Sequence, residues 1–210
     1  MGDFTTRIVV LISGSGSNLQ AIIDAVEDGD IPGKICAVIS NIDNVKGLER
    51  AEQHNIPAFV INHKAFANRE AFDERLQEII DAQGADLVVL AGFMRILTPE
   101  FTAHFKGRML NIHPSLLPKY QGLNTHQRAI DAGDNEHGVS VHFVTAELDG
   151  GPIAMQAQVS IDIDETAASL AAKVLKKEHV IYPQAVALFA QGRLTMEGNL
   201  ALIDGEPVSL

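Results

Sequence analysis

The chain has 210 residues, 46% of them hydrophobic, enough to bury one substantial core. Its formal charge of −11 argues against a nucleic-acid binder, which needs a net basic face for phosphates, but leaves room for a small anion in a locally positive cleft. Cys36 is the sole cysteine, so an intrachain disulfide is excluded. Met1 to Arg7 and the short apolar run Ile8 to Ile12 lack the make-up of a leader or a membrane span, so a cytoplasmic protein is the expectation.

Apolar runs alternate with helical patterns through the first two thirds, the signature of parallel strands joined by crossover helices. Ile8 to Ile12 reads as a buried first strand. Ser17 to Val26 reads as a helix with Leu19, Ile22, Ile23 and Val26 on one face, and Ser17 with Gln20 fits a capping box at its start. Ile35 to Ile39 is a second strand, Leu48 to His54 a short helix, and Ala58 to Ile61 a third strand. Arg69 to Gln83 has helical register through Phe72, Leu76, Ile79 and Ile80, with Gly84 as its stop. Leu87 to Ala91 is an unbroken apolar run, which predicts a central strand covered on both faces.

Thr98-Pro99 starts a short helix, and Met109 to His113 forms the next strand. From His137 to Thr145 the period changes to two, with Val139, Val141 and Phe143 alternating with Ser140 and His142. Ile153, Met155, Ala157 and Val159 repeat that pattern, so the two runs are expected to be antiparallel neighbours. Glu165 to Gln191 is a long helical stretch that Pro183 should bend or divide, and Arg193 to Ile203 reads as a closing hairpin with Gly198 and Asn199 at its tip. The sum is one α/β domain over residues 1–210: a mostly parallel twisted sheet, helices on both faces, and antiparallel strands in the C-terminal part.

Two places carry chemistry. Gly14-Ser15-Gly16-Ser17-Asn18 joins the first strand to a helix, and such a turn aims backbone N–H groups and the positive helix end at a phosphate. Leu19 stands where a dinucleotide fingerprint wants a third glycine, and the Gly-Lys-Ser/Thr of a Walker loop is missing, so a monophosphate is the better fit. The plain alternative is an ordinary tight turn.

Asn111 and His113 lie two apart at the end of a strand and so share a face, and Pro114 opens a loop there. A carboxamide can donate to an oxyanion formed when a nucleophile adds to a carbonyl, and an imidazole can move the proton. Asp149, on the glycine-rich Leu148 to Pro152 turn, is available to orient the ring. Neither Ser115 nor Cys36 is placed as a nucleophile, which favours direct transfer between two bound substrates. The histidine spacing gives no metal site: His137 and His142 face opposite sides of one strand. The Glu147 and Asp149 pair reads as one orienting acid on a loop rather than a dyad for sugar hydrolysis.

The chain resembles the phosphoribosylglycinamide formyltransferases over nearly its whole length. The likeness rests on Val10 to Gly14 with Gly16 to Gln20, on Leu90 to Leu97, on Asn111 to Tyr120, on His137-Gly138 with Ser140 to Val144, on Leu148 to Pro152, and on Glu178-His179 before Ile181-Tyr182-Pro183. The resemblance implies a Rossmann-like fold and a reaction in de novo purine synthesis. There the amine of glycinamide ribonucleotide attacks the formyl carbon of 10-formyltetrahydrofolate through a tetrahedral intermediate. It implies that Asn111 holds the oxyanion, that His113 stabilises it and helps move the proton, and that Asp149 orients His113 and a water. Gly14, Ser15, Gly16, Ser17 and Asn18 would grip the ribonucleotide phosphate, and Glu178 would meet its glycinamide end.

The same likeness assigns the reduced folate to Met94, Arg95, Ile96 and Leu97, to Thr145, Ala146, Glu147, Leu148 and Asp149, and to Asn111, with Arg69 on its glutamate carboxylate. Residues 1–100 would form the phosphate-binding half, and 101–210 the folate-binding and catalytic half. The partners implied are small molecules only, with no nucleic acid, membrane or metal, and the protein would act as a monomer or homodimer. Ser15, Gln121 and Asn124 depart from the family, where Asn, Pro and His are expected; Gln121 frees the loop by removing a fixed φ. Two rivals stay open: a hydrolase that gives the formyl group to water, and a binding module that holds a phosphorylated ligand without turnover.

Overall fold

A computed structural model describes residues 5–209; Met1 to Phe4, part of the stretch read for a leader, lie outside it. Seven strands form the main sheet in the order β3-β2-β1-β4-β5-β6-β7: β1 (Thr6–Ile12), β2 (Gly33–Ser40), β3 (Ala58–Val60), β4 (Leu87–Leu90), β5 (Met109–His113), β6 (Glu136–Phe143) and β7 (Ile153–Ser160). The first five are parallel, and β6 runs antiparallel to both β5 and β7. The strand order reverses between β1 and β4, the kind of switch point where open α/β sheets form a crevice beyond their strand ends. A second, three-stranded antiparallel sheet holds β8 (Leu194–Glu197), β9 (Leu200–Ile203) and the short β10 (Glu206–Pro207), which the pattern analysis does not foresee.

The helices are α1 (Ser17–Glu27), α2 (Lys46–Gln53), α3 (Arg69–Ala82), α4 (Pro99–His104), α5 (Thr125–Asp131) and α6 (Ala167–Ala190). Alternate residues of each central strand feed two cores. Ile8, Val10, Val89, Leu110 and Ile112 pack with Leu19 and Ile22 of α1 and Tyr182 of α6; Val9, Leu11, Val88, Leu90 and Met109 pack with Phe72 and Leu76 of α3 and Phe101 of α4. Both faces being covered explains why β1 and β4 read as continuous apolar runs. No described helix is long and apolar enough to cross a membrane.

Three expectations change. Gly16, at φ 68°, caps α1, and no side chain caps it, so the Ser17–Gln20 box does not form. The helix begins a residue too early for Ser17 to cap it, and Gln20 bonds Asp24 and Arg50 instead. A true capping box does form at Thr166 and Ser169, at the head of α6. That helix is not divided at Pro183, because Ile181, Tyr182, Ala185 and Val186 are buried on either side of the proline and packing outweighs the lost backbone bond. Finally, α5 has no counterpart in the sequence reading; its seven residues begin after Asn124, at φ 57°, and are too few to show a helical period.

Candidate active site

Met109 packs on the α3 side of the sheet, so Asn111 and His113, two and four residues on, continue that face beyond the helices that cover it. The antiparallel register sets His142 opposite Asn111 and Ser140 opposite His113. Four polar side chains therefore share one patch at the strand ends. Asp149 reaches it from the turn after β6, at φ 49°. The neighbouring Gly151 is obligatory, since a Cβ there would lie 1.9 Å from the Phe143 carbonyl oxygen.

Distances define a connected set. His113 Nδ1 is 3.4 Å from Asp149 Oδ2, with both side chains 8% exposed. His113 Nε2 lies 2.8 Å from the Tyr120 carbonyl, to which it donates, so Nδ1 is the nitrogen left to exchange a proton beside the carboxylate. The Gly122 N–H also donates to Asp149 Oδ2, at 2.9 Å, and the Gln121 side-chain amide donates to the Asp149 carbonyl at 3.3 Å. Gln121 thus ties the loop to the acid's turn where relatives were expected to hold a proline.

His142 is a member of the site that sequence reasoning missed. Its Nδ1 lies 2.9 Å from the Phe143 carbonyl, which assigns the proton to that nitrogen and leaves Nε2 to accept from Asn111 Nδ2 at 3.1 Å. Burial pushes the His142 pKa down, against the opposing effects of the Phe143 bond and the Asp149 charge, so the ring stays neutral and keeps its acceptor. The Asn111 amide is thereby oriented, with its second N–H free for a ligand. The alternation of Ser140 and His142 was the available signal; the pairing that faces them to Asn111 and His113 was not.

Two hollows flank this patch. One, about 230 Å³, is lined by Ser13 to Asn18, Ala91, Gly92, Met94, Leu175 and Glu178. Here Gln20 is the first residue whose N–H bonds back, to Gly16, so the amides of Ser17, Asn18 and Leu19 lack intrahelical partners. The turn's carbonyls point the other way: Gly14 accepts from the Gly47 N–H at 3.0 Å and Ser15 from Arg50 Nε at 2.9 Å. Asn18 Nδ2 donates to Glu178 Oε2 at 2.7 Å, and burial raises the Glu178 pKa, partly offset by that bond and by the nearby His179 and His113 charges.

The other hollow, about 110 Å³, is lined by Leu90, Phe93, Arg95 to Leu97, Thr102, Asn111, His142 and Val144 to Asp149. It gathers Arg95, Ile96, Leu97, Asn111, Thr145, Ala146, Glu147, Leu148 and Asp149 from the expected folate set. Met94 lines the first hollow instead, and Arg69 lines neither. Arg69 is exposed at the head of α3; burial raises the pKa of nearby Asp73, against the opposing hydrogen bonds from Thr98 and the smaller effects of the Arg69 and Arg95 charges. A larger hollow of about 690 Å³ runs between α1 and α6; it shares only Ser17 with the first hollow and no residue with the second, which holds Asn111, His142 and Asp149. Among the described residues no group of three or more His, Cys, Asp or Glu could hold a metal.

The family model described as formyl transferase matches residues 6–186. The phosphoribosylglycinamide formyltransferase of Escherichia coli is 54% identical over 200 residues, 95% of this chain and 94% of the relative. The enzyme of that name from Haemophilus influenzae is 52% identical over the same shares of the two chains. The solved structure of the phosphoribosylglycinamide formyltransferase from Coxiella burnetii superposes with a TM-score of 0.94 at 51% identity, covering 98% of this chain and 97% of its own. A matched family model over most of the length, and relatives sharing half their residues from end to end, place this chain in the formyl transferase family, as one of its phosphoribosylglycinamide formyltransferases.

Proposed function

We propose that the protein transfers the formyl group of 10-formyltetrahydrofolate directly to the amine of N1-(5-phosphoribosyl)glycinamide, with Asn111, His113 and Asp149 as its catalytic residues. The observation that carries this reading is their convergence, with His142, at one strand mouth between two hollows. Addition of the amine to the formyl carbon turns the carbonyl oxygen into an oxyanion. The free N–H of Asn111, held by His142, is the preorganised donor for it. His113 Nδ1 takes a proton as the amine bonds, and Asp149 stabilises the resulting positive ring. Return of that proton to the departing folate nitrogen completes the transfer.

The unpaired amides of Ser17 and Asn18, at the positive end of α1, suit the ribonucleotide phosphate, with Gly14, Ser15 and Gly16 shaping the turn. Glu178 receives the glycinamide end, and Asn18 Oδ1, buried with no partner, offers a further acceptor to a hydroxyl or amine of the same ligand. On the folate side, Arg95 to Leu97 and Thr145 to Asp149 enclose the pterin, Met94 borders both substrates, and Arg69 takes the glutamate carboxylate from the rim. Formyl transfer measured with each substrate omitted in turn tests the reading. Product is expected only with both; rapid formate release from formyl-folate alone marks a hydrolase instead.

A further inference from the structure

We propose that Ser13, supported by Asn41, is a positioning residue that fixes the segment between Ala91 and Thr98 against the phosphate turn and so sets the distance between the two substrates. The inference rests on the formyl transfer proposed above. Ser13 immediately precedes Gly14 and is 8% exposed. Its hydroxyl accepts from the Met94 N–H at 2.8 Å and donates to Asn41 Oδ1 at 2.5 Å. Asn41, 2% exposed at the end of β2, is fixed in turn by His63, whose Nδ1 lies 3.2 Å from both its side-chain amide and its carbonyl.

Met94 sits on the divide. Ala91, Gly92 and Met94 line the phosphate hollow, whereas Phe93 and Arg95 to Leu97 line the folate hollow. The segment is anchored at one end by the Ala91 N–H on the Leu11 carbonyl and at the other by the Thr98 N–H on Asp73. Between those anchors, the bond to Ser13 is the only hydrogen bond of a backbone amide among the described residues. A single hydroxyl thus ties the wall shared by the two hollows to the residue that opens the phosphate turn. Both reactants are bound molecules, so rate depends steeply on their relative placement, and a displacement of about 1 Å can cost roughly 10²-fold.

Ser13→Ala is the test, with Ser13→Thr as the variant that keeps the hydroxyl. In Ser13→Ala, kcat is expected to fall by about tenfold or more and the KM for the formyl donor to rise several-fold, while the Kd for the ribonucleotide by calorimetry stays within about twofold. Ser13→Thr should match the parent. In the substrate-free protein, exchange of the Met94 amide should accelerate by about tenfold in Ser13→Ala, with the amides of Gly14 to Asn18 unchanged. That readout stands even if the parent protein fails to transfer formyl, which would remove the proposed activity and leave the tether. Unaltered Met94 exchange, equal losses for both substrates, or a threonine variant as impaired as alanine overturns the inference.

Discussion

Asp149→Asn isolates the charge at the centre of the site with little change in shape. Asparagine tolerates the left-handed φ of 49° at this position, and its amide oxygen can keep the Gly122 N–H bond. What disappears is the negative charge 3.4 Å from His113 Nδ1. At that distance an effective dielectric of about 20 gives an attraction of roughly 5 kcal/mol for the protonated ring. The amide dipole and reoriented water recover part of this, leaving about 3–4 kcal/mol, or about 10²–10³ in rate. Steady-state kinetics with both substrates saturating should show that fall in kcat, with a Tm within about 3 °C of the parent. A variant that keeps more than half the parent kcat would show that the carboxylate does not stabilise a positive His113 during turnover.

Three further outcomes follow from the geometry. Gly16→Ala places a Cβ 2.7 Å from the Gly47 Cα at a φ of 68°, so the turn must move, and the ribonucleotide KM should rise by about tenfold or more while the KM for the folate donor holds. Burial raises the Glu178 pKa, so ribonucleotide affinity should weaken as pH falls through a value above the ordinary glutamate range; Glu178→Gln should abolish that pH dependence, and an unchanged profile would remove Glu178 from the contact. His137, buried and facing His126 at 3.1 Å, is held down to about 4, chiefly by desolvation. The unfolded chain therefore binds this proton first. The stabilisation is full above about pH 6.5 and drains as pH falls toward 4, a loss of roughly 2–3 kcal/mol in urea unfolding that His137→Leu should flatten.

Local periodicity made Asn111 and His113 legible as a pair, because a strand puts every second side chain on one face whatever it pairs with. The boundaries of β5 and the start of α4 were readable for similar reasons, the first from an apolar run and the second from Thr98 and Pro99. His142 was not readable as a partner of Asn111, because the antiparallel register of β5 and β6 joins residues 31 positions apart. The α1 cap failed as a reading because Ser17 and Gln20 match a local pattern that the left-handed Gly16 displaces. Pro183 within α6 and the short α5 were likewise decided by packing and turn geometry rather than by propensity.

The proposed transfer depends most directly on the amide of Asn111. Its Nδ2 is held by His142 beside His113, and Asn111→Ala would remove the proposed oxyanion donor without touching the buried cores. The kcat of Asn111→Ala, measured at saturating concentrations of both substrates alongside a thermal melt, is predicted to fall by about 10²–10³, with Tm lowered by only a few degrees as buried His142 loses its partner. A folded Asn111→Ala enzyme turning over at the parent rate would contradict the account.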